Sequence, residues 1–320
     1  MLMNVKTKTR EKTKTTEKKK RKFTVDELQD YSLLILPLLL IFVFCYLPIF
    51  GIIIAFKDYR YDLGIFGSKW VGFDNFKYFF QSDSFLRITW NTLSMNFLFI
   101  VIGTAAAVII AVLLFYLRSR KTTKVYQTMM ITPHFVSWVV AAYILYAFLS
   151  PKYGLLNVLL NKFGMDKIDW YADAKYWPVI FVIASVWKKI GMDSVMYYAA
   201  LMGIDATMFE AAEIDGAGKV KTFFYIIVPS LVPIISILTI MSIGNIFRAD
   251  FGLFYQLPRN IGVLYKTTDV IDTFIFRTMR EIGDMGMSSA VGLLQSFVGL
   301  ILVLFTNHVS KKINPDNALF

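Results

Sequence analysis

Three ionisable side chains, Lys188, Lys189 and Asp193, stand inside the apolar stretch at about residues 176–201. A charge in such a stretch is costly unless it is paired or faces water and a ligand. Lys189 and Asp193 lie four residues apart, a spacing that suits a local ion pair on a helix. Lys188 and Lys189 could equally line water at a break near Gly191, or touch an anionic or hydroxyl-rich substrate. Asn245 and Gln295 are isolated polar residues in two other apolar runs, suited to bonding a neighbouring helix or a ligand. With Lys188 and Asp193 they are the candidates for a substrate pathway. Groups for covalent or metal chemistry are scarce. Two histidines, His134 and His308, and one cysteine, Cys45, exclude a disulfide framework and argue against a zinc or histidine-rich metal site. G-x-x-x-x-G-K-[ST], H-E-x-x-H and G-x-S-x-G are absent, which argues against an ATP phosphate cradle, a membrane metalloprotease and a serine hydrolase on this chain. No residue is assigned a catalytic role. His134, after Pro133, is expected at a kink.

The elements that must position these residues are long and apolar. Of 320 residues, 56% are hydrophobic and only 18% charged, against ~25% in soluble domains. Mean hydropathy is +0.55, which excludes an ordinary cytosolic enzyme. Residues 31–56, 88–117, 125–150, 222–247 and 285–310 contain no Asp, Glu, Lys or Arg. The shortest of them, as a helix, spans ~39 Å, more than the ~30 Å of a hydrocarbon core. Backbone polar groups must be paired within lipid, so these runs are helices. With 176–201 as a sixth, interrupted span, the chain is expected to be an all-α polytopic membrane protein with six transmembrane helices. The first run is too long for a cleavable signal peptide.

The net charge of +11 is unevenly placed. Residues 1–22 hold ten Lys/Arg against Glu11 and Glu17, so the high pI describes a tail. The tail reads as a solvated, disordered arm at the cytoplasmic face, and with no aromatic to stack on bases it implies no nucleic-acid partner. The loop 118–124 carries Arg118, Arg120, Lys121 and Lys124 without an acid, and Lys311 and Lys312 follow the last run. These segments are expected inside, and the near-neutral segments 57–87 and 248–284 outside. The organisation is then a basic tail over 1–30, a six-helix domain over 31–312, and a cytoplasmic tail over 313–320, in the cell membrane with both termini cytoplasmic. Within 248–284, Asp269 is expected to cap an amphipathic helix carrying Val270, Ile271, Phe274 and Ile275.

A helix of about nine residues is expected in the inner loop 205–218. Asp205 is a good N-cap, Glu210, Ala211 and Ala212 favour helix, and Gly216 is a stop. Met208, Phe209 and Ala212 would share one side. An amphipathic helix in the headgroup layer has the same pattern. Glu210-Ala211-Ala212, then three residues, Gly216, nine residues, and Ile226-Ile227-Val228-Pro229 resembles the EAA loop of binding-protein-dependent ABC importers, with Val228 in place of the family's Leu. Trp70-Val71-Gly72-Phe73-Asp74-Asn75-Phe76 resembles the start of such permeases, and Trp187-Lys188 with Gly191 and Tyr198-Ala199-Ala200-Leu201 extend the resemblance to the maltose-type carbohydrate branch. Residues 250–255 with Gln295-Ser296 extend it to the oligosaccharide and polysaccharide permeases of Gram-positive bacteria.

The resemblance implies a type I ABC importer permease fold and a non-catalytic subunit importing a carbohydrate by alternating access. It implies a second homologous permease subunit and two ATPase subunits holding ATP and Mg. A lipid-anchored or periplasmic solute-binding protein would deliver the sugar, and no cofactor is expected on this chain. Met208, Phe209, Glu210, Ala211, Ala212, Asp215 and Gly216 would form the ATPase-coupling surface. A secondary sugar carrier and an intramembrane enzyme acting on a lipid-linked sugar are the alternatives; the first wants acids within the spans and the second clustered acids or a metal motif. Topology is tested in a Cys45-free background: cysteines at Ser119 and Thr267 should react with an impermeant reagent from opposite sides of the membrane, and labelling of both from outside would defeat the six-span reading.

Overall fold

The computed structural model describes residues 25–313, with most of the basic tail (residues 1–24) and residues 314–320 outside the described residues. The chain forms two units, divided after Gly51. In the first, helix α1 (Val25–Ile41) opens inside the expected tail, runs through Pro37 and passes into a π turn at Phe42–Tyr46. Pro37 offers no N–H and obstructs the preceding turn, so the helix cannot be ideal throughout. Side chains from Tyr31 to Phe50 are exposed although most are large and apolar, a surface that lipid or another protein must cover.

The second unit begins within the 3₁₀ segment Leu47–Phe56. Its two short strands, β1 (Lys57–Asp58) and β2 (Lys69–Trp70), pair antiparallel with Lys57 opposite Trp70. The helices that bear on the site follow: α2 (Asp74–Gln81), α3 (Phe85–Phe115), α4 (Arg120–Ile131), α5 (Trp138–Leu149) and α6 (Trp177–Leu201). Next come α7 (Ala206–Ile214), α8 (Val228–Gly244), α9 (Phe251–Gln256), α10 (Ile271–Arg277) and α11 (Met285–Ile313). By length and composition four segments can cross a membrane: Tyr31–Phe56, Phe85–Phe115, Lys219–Gly244 and Met285–Lys312. Helix α6 has 25 residues, ~37 Å and long enough to cross, but carries three charges.

The run 125–150 is not one straight span. It breaks into Arg120–Phe135 and Trp138–Leu149, bent by 98°, a candidate fifth crossing only if the pair is taken together. This is a fuller break than the kink expected at His134. Pro133 sits in a 3₁₀ turn, Val136 is extended, and Ser137 starts a new helix by accepting from Val140 N–H. Conversely, α6 continues unbroken through Gly191. The glycine serves close approach instead, because a Cβ there would collide with the backbone of Met130 and Ile131 in α4.

Helices α3, α6 and α8 make the core. Toward one end Ala107, Ala111, Tyr197, Leu201, Ile227 and Leu231 pack together, small residues of α3 admitting the larger ones. Toward the other, Met95, Trp177, Phe181, Leu253 and Phe254 form a second cluster. Here the segment 248–284 is tied to α3. Asp269 is not the cap of α10; Val270 is. Instead its fully buried carboxylate receives Arg277 at 2.8 Å, Arg87 at 3.4 Å and the Thr273 hydroxyl at 3.0 Å, and Asn91 donates to its carbonyl at 2.9 Å. Asp269→Ala strands a largely buried guanidinium, so unfolding in detergent should become easier by about 3 kcal/mol, whereas Lys266→Ala should change stability little.

Candidate functional site

Between α3, α6 and α8 lies a cavity of about 430 Å³. Asn96 and Thr104 contribute from α3, Ser242 and Asn245 from α8, and Arg248 from just beyond it. From α6 come Ser185, Lys189 and Asp193. Their four-residue spacing places them on one face of the helix. Asn245, the C-cap of α8, bonds its own Met241 carbonyl at 3.0 Å and still lines the space.

Of the four substrate-pathway candidates, Asp193 and Asn245 line this cavity and Lys188 and Gln295 do not. Lys188 lies on the neighbouring face of α6. Its ammonium donates to His134 O at 3.0 Å and to Val136 O, and it stands 5.0 Å from the Trp138 ring. Those carbonyls are freed by the break between α4 and α5, so Lys188 seals a broken helix. The Trp138 indole in turn donates to Asp250 at 2.9 Å and lies against Gly252, where a side chain would collide with it.

Gln295 performs a similar task at the end of α8. The Ile246, Phe247 and Arg248 carbonyls follow the helix; Asn96 donates to the first and third at 2.7 and 3.1 Å, and Gln295 to the second at 2.5 Å. Gln295 also reaches Asp272 at 3.0 Å, whose carboxylate accepts from Ala249 N–H at 2.7 Å. Burial pushes the Asp272 carboxyl up, opposed by those two hydrogen bonds. Lys189, weighed in sequence beside Lys188 but not carried among the four pathway candidates, and Arg248, not considered there, are the two cations that line the cavity. The available signal was helical phase, since Lys189 shares the face of Asp193 and Lys188 does not.

The second constellation is α7. Asp205 accepts from Thr207 N–H at 3.0 Å, which also holds its carboxyl below the usual range. At the other end Ala217 N–H reaches Ala212 O at 2.8 Å and Gly216 N–H reaches Glu213 O at 3.1 Å, with Gly216 at φ +69°. Those two bonds form a Schellman cap, which requires a left-handed residue at its turn. Phe209 is half-buried against Phe115 at the end of α3, ring centroids 5.4 Å apart. It therefore fastens α7 to its own chain, while Met208 (46% exposed) and Ile214 (86%) face away. Ile214 was missed in sequence; it lies five residues beyond Phe209 and so on the far side of the helix. Glu210, Ala211 and Asp215 are exposed as well, and Ala212 is half-buried.

Long apolar helices around a polar cavity, with a rigid capped helix at one end, define a membrane-embedded, multi-pass transport protein. The chain belongs to the family of binding-protein-dependent transport system inner membrane components, which matches residues 100–315. It is 35% identical over 286 residues to protein LplB of Bacillus subtilis (strain 168), covering 89% of both chains. To the polygalacturonan/rhamnogalacturonan transport system permease protein YteP of the same organism it is 33% identical, over 89% of this chain and 88% of the relative. Among solved structures it is similar to a bacterial alginate ABC transporter in complex with an alginate pentasaccharide-bound periplasmic protein. That match has a TM-score of 0.80 and 31% identity, over 90% of this chain and 96% of the other. The chain is thus a non-catalytic permease subunit of an ABC importer, with ATP hydrolysis on a separate polypeptide.

Gly216→Val puts a β-branched side chain at a left-handed position, an energetic penalty of about 1–2 kcal/mol. The measured consequence should be loss of substrate-stimulated ATPase activity in the purified importer, with Gly216→Asn retaining much of it because Asn tolerates that conformation.

Proposed function

We propose that this chain is the carbohydrate-conducting subunit of an importer for oligosaccharides, powered through α7. The observation carrying the reading is the attachment of α7. It joins α6 to α8 in the chain and is fastened by Phe209 to α3, so the three helices that wall the cavity share one handle. Lys219, just beyond α7, adds a second tie, 5.5 Å over the Tyr116 ring. An ATPase subunit gripping Met208, Glu210, Ile214 and Asp215 would move all three walls together. ATP, with Mg, then supplies differential affinity for two conformations, outward-open and inward-open.

The relatives support the sugar. YteP is named for polygalacturonan and rhamnogalacturonan transport, and the solved transporter for alginate. The cavity, lined by hydroxyl, amide and charged groups together with Phe99 and Tyr197, suits a polyhydroxylated ligand. The functional unit would pair this subunit with a second permease above two ATPases, and receive its sugar from a solute-binding protein on the outer side. Six crossings, with α6 and the α4–α5 pair among them, keep both termini cytoplasmic beside the ATPases. The handle makes a secondary carrier redundant, since uptake would follow ATP and not a proton gradient.

Glu210→Lys should reduce ATPase subunit content or coupling in the purified complex while sugar binding by the isolated solute receptor stays intact. Uptake in cells should fall on ATP depletion and persist when the proton gradient alone is collapsed; the opposite pattern would refute the ATP-driven reading.

A further inference from the structure

The central cavity carries two cations and one acid. Lys189 and Asp193 come from α6, and Arg248 stands four residues past the end of α8. Among the described residues none of the three joins an ion pair. The Arg248 guanidinium gives one hydrogen bond among the described residues, to the Ser296 hydroxyl at 3.3 Å. Asp272 is close enough to feel its charge, but that carboxylate is committed to Ala249 and Gln295 and does not line the cavity. Lys189 has Asp193 one turn away, and its ammonium makes no hydrogen bond within the described residues, so it is solvated by whatever fills the space. This contrasts with Lys188, whose ammonium is spent on two backbone carbonyls.

A neutral sugar entering here would strip water from two cations and return only hydroxyl dipoles. A carboxylate returns charge-assisted hydrogen bonds, roughly twice as strong as neutral ones. We propose that the cavity selects anionic saccharides, with Lys189 and Arg248 receiving a uronate carboxylate from α6 and from the end of α8, and Asp193 accepting sugar hydroxyls. The guanidinium fork fits a carboxylate through two parallel bonds, and the lysine adds a compact, movable charge. Asp193 repels the carboxylate from its own side, which orients the sugar ring. The inference rests on the carbohydrate-import reading and narrows its substrate to one charge class.

The test uses the complete importer, with its second permease, ATPases and solute receptor, in liposomes. Trigalacturonate and its carboxyl-reduced neutral counterpart, trigalactose, serve as probes, and binding of each to the receptor alone is measured in parallel. Wild-type importer should take up trigalacturonate in preference. Lys189→Gln and Arg248→Gln should each lower that uptake about tenfold, the equivalent of one charged hydrogen bond. Lys189→Arg should retain most of it, and receptor binding should be unchanged. Uptake of trigalactose without trigalacturonate, or wild-type trigalacturonate uptake by both glutamine variants, would overturn the charge assignment and leave carbohydrate import standing. Failure of ATP-driven uptake for these and a broad panel of other oligosaccharides would overturn the import reading itself.

Discussion

Inside a hydrocarbon layer a carbonyl or N–H without a partner costs several kcal/mol, and water is not there to supply one. Two departures from regular helix, after α4 and after α8, answer to that constraint. Where the chain breaks after Ile131, Lys188 reaches from α6 to the exposed carbonyls of His134 and Val136. Where α8 stops, Asn96 and Gln295 arrive from α3 and α11 to take the carbonyls of residues 246–248. These bonds define where helices may end, and the ends in turn define the cavity. A polar side chain in a span is therefore more often a mason than a receptor, and only those left uncommitted are free to meet a ligand.

The same constraint explains the use of glycine. Gly191 lets α4 approach α6 at backbone distance, and Gly244 lies against Val303 while a Cβ on Gly299 would come 3.2 Å from the Gly244 carbonyl. Lipid gives apolar side chains little reason to leave it for each other, so close helix contact depends on shape and on hydrogen bonds. The two sets of contacts hold α4 against α6 and α11 against α8, and α6 and α8 also line the cavity.

Local features were legible in sequence. The apolar runs announced the helices, and Asp205, Ala206–Ile214 and Gly216 appear as cap, helix and left-handed stop because these depend on residues a turn apart. Partners 50 or more residues away were not. Nothing near Lys188 tells that it meets Val136, 52 positions earlier, while Lys189 next to it faces open space. Asp269 looked like a helix cap because it precedes an amphipathic stretch, yet Arg87, 182 positions away, helps to claim it. The break at residues 132–136 was signalled by Pro133, but neither its 98° bend nor the Lys188 ammonium that takes up its carbonyls was. Gln295 and Asn245 look alike as lone polar residues, and only the position of the α8 terminus separates them.

The seat of Phe209 on Phe115 has a mechanical consequence. An aromatic contact is worth about 1 kcal/mol, and given up over about 1 Å it yields at a tension on the order of 70 pN. Pressed together, the same rings meet a steep repulsive wall and hold against much larger loads. The joint between α7 and α3 is therefore stiff in compression and weak in tension. A stroke that thrusts α7 toward α3 is transmitted whole, whereas one that tugs it away risks prising the rings apart before the helix follows.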